Sequence, residues 1–308
     1  MGGTGGEFLK DKEIKEMQKE IRESEEKTTD EAFEVEVSAK INKLLANYNY
    51  RDTNAIKSHI DVIIKAIQKE IVGTFNIVFG GSYQKYTYVD GISDIDSLVL
   101  LNNSELINKS PKEVLEYFRA MLKERFPESK IEIGKIAITI HFTDGNIIQL
   151  LPAVKSGEEF KISNSSGDNW SKIKPRNFTD KLTETNKKNN DKMIPTIKVV
   201  KAINSYLPTR KQLTGYHIES LAIEVFKVYS GEKNIKKMLQ HFFESAKDLV
   251  KSPIKDKSGQ SVYVDEYLGR KNSNERKQIS IILDRISRRM KNANSSASVE
   301  QWMEILGH

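Results

Sequence analysis

Residues Asn76 to Leu101 read NIVFGGSYQKYTYVDGISDIDSLVLL, and the reading of this stretch decides the rest. Ile77, Val78 and Phe79 form a short apolar run with strand character, which breaks at Gly80, Gly81 and Ser82, where a helical turn can begin. Asp94 and Asp96 follow on either side of Ile95, directly ahead of Leu98 to Leu101, a second buried-strand pattern. Residues two apart in a strand share a face, so the spacing predicts two carboxylates side by side with Ile95 turned to the core.

Paired carboxylates suit a hard divalent cation such as Mg²⁺, which keeps several waters and completes its shell with substrate phosphates. The glycines permit close approach of backbone to an anion, amides at a helix start point partial positive charge at it, and Ser82 adds a hydroxyl. A phosphate cradle about a dozen residues from a metal dyad is what a nucleoside triphosphate with its metal requires. The competing reading is a surface turn followed by a solvated pair of aspartates.

This two-part signature, Gly80-Gly81-Ser82 and then Asp94-Ile95-Asp96 on the next strand, resembles that of the polymerase-β-like nucleotidyltransferases. Within that superfamily it is most similar to the bacterial cGAS/DncV-like enzymes, the CD-NTases, which are related to oligoadenylate synthases. The resemblance runs from about Phe33 to Leu268 and implies an α/β fold, a polymerase-β-like palm joined to a mainly helical C-terminal lobe with nucleotide in the cleft between them. The corresponding division is a flexible segment over 1–30, a palm with packing helices over 31–192 and a helical lobe over 193–308.

Composition sets the outer limits. A chain of 308 residues is long enough for one large or two ordinary domains. No apolar run has the length of a membrane span, and the Gly-rich, then Lys/Glu-rich N-terminus has no signal-peptide core, so a cytoplasmic protein without membrane contact is expected. The absence of cysteine excludes disulfides and thiolate-bound zinc, and five scattered histidines argue against a histidine metal site. A net charge of +6 suits a phosphate-bearing partner, although lysine excess also describes an ordinary solvated surface.

Elsewhere the pattern is mostly helical. Ile14, Met17 and Ile21 suggest a loosely docked helix. Thr29-Asp30 reads as the cap of a second, with Phe33, Val37, Ile41, Leu44 and Leu45 on one stripe, and Ile56 to Ile71 as the buried face of a third from Thr53 to Val72. These helices are expected behind the sheet. Ser110-Pro111 opens a helix to about Phe126. Strands are expected at Lys130–Ile133, Lys135–Phe142 and Asn146–Leu151, with a hairpin turn at Thr143-Asp144-Gly145 and the sheet ending at Pro152-Ala153. Residues 155–192 read as a polar, loop-rich crossing in which Trp170 pins a loop or stacks on a base. His217 reads as a cap or core partner.

The resemblance also names site residues. Asp94 and Asp96 would hold Mg²⁺ or Mn²⁺, while Gly81, Ser82 and Lys201, with Lys198 as second choice, would meet the triphosphate. Tyr263 would stack on a base. The family places a third carboxylate in an apolar-Asp-apolar-apolar-Pro-Ala context, and here Ile148-Gln149-Leu150-Leu151-Pro152-Ala153 puts Gln149 at that position. An amide oxygen still ligates a metal but brings no charge and takes no proton. The implied function is synthesis of a cyclic or short linear oligonucleotide from nucleoside triphosphates, as an antiphage signal acting through an effector protein. Two alternatives stand beside it: a template-independent terminal or protein-directed nucleotidyltransferase with an oligonucleotide or protein acceptor, and a nucleotide-binding pseudoenzyme.

Overall fold

The computed structural model describes residues 11–49, 53–70, 74–79, 95–102, 105–156, 159–164, 167–173, 175–256 and 262–308. Its seven strands, β1 (Thr74–Phe79), β2 (Ile95–Asn102), β3 (Lys130–Ile133), β4 (Ile138–His141), β5 (Ile147–Ser156), β6 (Glu159–Ser163) and β7 (Trp170–Ile173), form one sheet. Its main path runs β1-β2-β5-β4-β3. The central pair β2 and β5 is parallel, and every other pairing is antiparallel. Alternation puts Ile138, Ile140, Ile148 and Leu150 on one fully buried face with Val99 and Leu101. Helices α2 (Thr53–Glu70) and α3 (Pro111–Arg125) cover that face with Ile60, Ile63, Ile67, Val114, Phe118 and Leu122, each such burial contributing roughly 1.5–3 kcal/mol.

Local chemistry fixes the ends of these elements. At the start of α3, Ser110 Oγ accepts from the Glu113 backbone N–H while the Ser110 N–H donates to Glu113 Oε2 at 2.8 Å, a reciprocal capping box. The β4–β5 hairpin closes through Gly145, whose φ of +87° strains any side-chain-bearing residue, and Asp144 Oδ1 accepts from the Asn146 N–H at 3.0 Å. Pro152 does not end the sheet. It sits inside β5 opposite Val99, where the other flank of the strand passes from β4, which pairs through Leu150, to β6, which begins at Ala153. The missing proline N–H falls in that gap, where no ladder partner is lost. Residues 155–192 likewise are not a loop-rich crossing: they form the end of β5, the β6–β7 hairpin and helix α4 (Pro175–Lys188).

A second core is wholly helical. It joins α5 (Met193–Ser205), α6 (Gly215–Phe226), α7 (Ile235–Leu249), α8 (Asn274–Ser295) and α9 (Val299–Ile305), and takes in Phe178 and Leu182 of α4. Helix α1 (Asp11–Asn49) also docks there, so the expectation that the first helices pack behind the sheet holds for α2 alone. Nor does α1 break at Thr29-Asp30. It continues because Phe33, Val37, Ile41, Leu44 and Leu45 stay on one buried stripe against α5, α7 and α9. Lys236 of α7, itself buried, locks this contact by donating to Glu34 Oε1 at 2.6 Å with its ammonium 4.0 Å from the centre of the Phe33 ring.

Candidate active site

The sheet face opposite α2 and α3 carries polar side chains in one lateral row. Asp96 of β2 lies opposite Gln149 of β5, Gln149 opposite Thr139 of β4, and Thr139 opposite Glu132 of β3. Residues paired across strands share a face, so the backbone alone aligns these four. Gln149 is half-buried, and its Nε2 donates to Thr139 Oγ1 at 3.4 Å. This register is the one the sequence requires of a site built on Asp96 and Gln149.

The carboxylates that might replace a third aspartate lie elsewhere. Glu132 is three strand spacings from Asp96, about 14 Å at 4.8 Å per step. It is held by Lys130 and by His141 Nε2 at 3.1 Å, hydrogen bonds that lower its pKa. Asp144 lies in the hairpin turn, 2.6 Å from His59 Nε2 of α2, whose ring stacks on Phe142 at 3.8 Å. Partial burial pushes the Asp144 carboxyl up, but the bonds from His59 and Asn146 outweigh it and hold the pKa at about 2. Both acids serve local structure.

Gly81, Ser82 and Asp94 lie outside the described residues. The ends of the strands nevertheless place the stretch that carries them: β1 leaves the sheet at Phe79, opposite Ser97, and β2 enters at Ile95. Both ends of 80–94 therefore adjoin Asp96. The donors so assembled are oxygen ligands only, which fits Mg²⁺ or Mn²⁺. Among the described residues no other group of three or more histidine and carboxylate side chains could hold a metal.

The helical lobe treats its predicted site residues differently. Lys201 is buried and donates to Glu219 Oε1 of α6 at 2.9 Å, with Glu219 itself buried. Lys198, one turn earlier on α5, is half-buried. Tyr263 is 39% exposed on a segment that an isolated bridge to Lys255 fastens. Arg276, wholly buried, anchors the same segment through Asp265 Oδ2 at 2.7 Å, the Asp265 carbonyl at 3.1 Å and the Gly269 carbonyl at 3.0 Å. Tyr267, four residues after Tyr263, offers a ring 48% exposed whose hydroxyl is fixed by the Thr214 N–H and His217 Nδ1. His217 is a core partner: burial drives its pKa down to about 4, against the pull of Asp265 and with the push of Arg276. Trp170 is likewise a pin, its indole N–H donating to the Lys109 carbonyl at 2.9 Å.

Sequence reasoning missed Thr139, Glu219 and Tyr267. Alternation along β4 marks Thr139 as the residue facing away from the core, but only the register shows that it meets Gln149. Glu219 gave no signal, since eighteen residues separate it from Lys201.

A β2–β5 parallel pair with acidic residues at its mouth, backed by two helices and joined to a helical lobe, is the polymerase-β-like nucleotidyltransferase arrangement. Residues 35–186 match the Second Messenger Oligonucleotide or Dinucleotide Synthetase domain, and the chain belongs to this cGAS/DncV-like nucleotidyltransferase family. A probable cyclic nucleotide synthase of Bacillus cereus strain VD146 is 25% identical over 198 residues, a match covering 59% of each chain. The chain thus spans about three fifths of the length of that curated relative. In fold it is similar to Escherichia coli MS115-1 CdnC, solved with ATP, at a TM-score of 0.64 and 12% identity over 89% of this chain and 97% of that one. It is also similar to the Bradyrhizobium diazoefficiens CD-NTase CdnG, solved with GTP, at 0.65 and 12% over 88% and 97%, and to Vibrio cholerae DncV at 0.61 and 13% over 97% and 90%.

Proposed function

We propose that the chain is a metal-dependent nucleotidyltransferase that joins nucleoside triphosphates into a cyclic or short linear oligonucleotide. The register of Asp96 against Gln149 on the central parallel pair carries this reading, because it puts the metal-dyad strand beside the third-ligand strand. The relatives lend support: the B. cereus protein is named a probable cyclic nucleotide synthase, and the CdnC and CdnG structures hold ATP and GTP. In the reaction a ribose hydroxyl oxygen attacks the α-phosphorus, the bond to the bridging oxygen of the β-phosphate breaks, and pyrophosphate leaves with the charge.

Asp94 and Asp96 hold Mg²⁺ or Mn²⁺ in this reading, and the cation supplies charge neutralisation on the triphosphate. Gly81 and Ser82 take phosphate oxygens. Gln149 offers a carbonyl lone pair at the third position, neutral and unable to accept the hydroxyl proton. On the helical side Lys198 ranks ahead of Lys201 for the triphosphate, because the charge of Lys201 is already balanced by Glu219. Tyr263 and Tyr267 are the two ring candidates for a base. The product is a signal in antiphage defence, read by an effector protein in the cytoplasm.

Gln149 favours a second reading, a nucleotide-binding pseudoenzyme. Incubation with all four ribo- and deoxyribonucleoside triphosphates and Mg²⁺ or Mn²⁺, with products resolved by mass, separates the classes. A new oligonucleotide supports the synthase. Incorporation only on an added acceptor indicates a terminal or protein-directed transferase, and nucleotide binding with no product under either metal indicates the pseudoenzyme.

A further inference from the structure

We propose that Thr139 is a positioning residue that sets the orientation of the Gln149 amide, turning its carbonyl oxygen toward Asp96 as a neutral metal ligand; this rests on the nucleotidyltransferase reading above. A carboxylate at position 149 would present an oxygen to its neighbour in either of its flipped states. An amide does not: one end accepts and the other donates. If the amino end faced Asp96 it would donate to that carboxylate and repel a cation, so the substitution of glutamine for an acid is harmless only when something selects the flip.

The neighbouring strand supplies that selection. Gln149 lies between Asp96 on one side and Thr139 on the other, in continuous register. Its Nε2 donates to Thr139 Oγ1 at 3.4 Å, which commits the amino group to the β4 side. The two ends of a planar amide point apart, so Oε1 is left on the β2 side, and among the described residues it accepts no hydrogen bond. Thr139 is half-buried and faces away from the core between the fully buried Ile138 and Ile140, so β4 holds its hydroxyl in place by its own packing. As a β-branched residue it has few rotamers to lose. The bond is long for a hydrogen bond, which suits a bias between two flips rather than a rigid lock.

The test uses the full chain with a non-hydrolysable triphosphate analogue and measures Mn²⁺ affinity by electron paramagnetic resonance, a readout independent of turnover. Thr139→Val keeps the branched shape and strand preference while removing the hydroxyl. It is expected to weaken Mn²⁺ binding by about threefold to tenfold, the range of one neutral hydrogen bond. Thr139→Ser is expected to restore it, and Thr139→Val added to Gln149→Ala is expected to change nothing further. Melting curves establish that each variant is folded. If Gln149→Ala weakens the ion and Thr139→Val leaves it at the wild-type value or tightens it, the positioning role is overturned while the site stands. If Gln149→Ala itself leaves Mn²⁺ affinity unchanged, the third-ligand reading falls, and the role of Thr139 with it.

Discussion

The two cores handle polar groups in opposite ways. In the helical core buried charges meet a partner: Lys201 with Glu219, Arg276 with Asp265, Lys236 with Glu34. On the open face of the sheet Gln149 makes a single long hydrogen bond, and Asp96 sits beside it in register with the loop that carries Asp94. Paired burial is a structural device, because an ion stranded in low dielectric costs far more than a mutual pair contributes. An under-bonded amide in a row with aspartates has instead the features of a site awaiting a ligand. The comparison assigns architecture to the helical lobe and chemistry to the sheet.

The largest effect is expected at the dyad. Asp94→Asn with Asp96→Asn should abolish nucleotidyl transfer and leave the melting temperature unchanged or raised, since neutralising adjacent carboxylates relieves repulsion. Wild-type turnover in the double variant would move the site off the sheet.

Next in size is Lys201→Met, which strands Glu219 and should destabilise the fold by about 3–5 kcal/mol, with Glu219→Leu added in the same chain recovering most of the loss. Should Lys201→Met melt like the wild type but bind triphosphate weakly, the contrast between the two cores breaks at this residue and Lys201 returns as the phosphate ligand.

His217 sharpens the same contrast through pH. Its folded pKa of about 4 lies below the unfolded value near 6.5, so the unfolded chain binds the proton first and stability drains away as pH falls from about 6.5 to about 4. The full cost is roughly 3 kcal/mol for this enclosed ring. An NMR titration should show a neutral imidazole down to about pH 4, and an ordinary midpoint near 6.5 would contradict the buried network.

Most of the frame was legible from residues alone. The apolar run at Ile77–Phe79, the alternating strand ahead of Leu101, the Ser110-Pro111 helix start and the Thr143-Asp144-Gly145 turn each rest on local chemistry, and each stands in the structure. What escaped was decided by tertiary contact. The capping signal at Thr29-Asp30 yields to the packing of Phe33 and Val37 on the helical core. β6 and β7 are four or five residues long with few apolar positions, too short for a period to declare itself, and they exist because the end of β5 offers a free edge. At the site the pattern identified Gln149 as the departure from the family triad, yet its partner Thr139 is ten residues away on a neighbouring strand and needs the register to be seen.

The central claim is that Gln149 occupies the third-ligand position beside Asp96. The most direct measurement is pyrophosphate release by wild type, Gln149→Asp and Gln149→Ala across a Mg²⁺ titration. The account predicts that Gln149→Asp saturates at lower Mg²⁺ and turns over faster than wild type, or acquires turnover where the natural chain is silent, with Gln149→Ala the weakest of the three. Lower activity in Gln149→Asp than in Gln149→Ala would contradict it, showing that a carboxylate at this position is repelled rather than used.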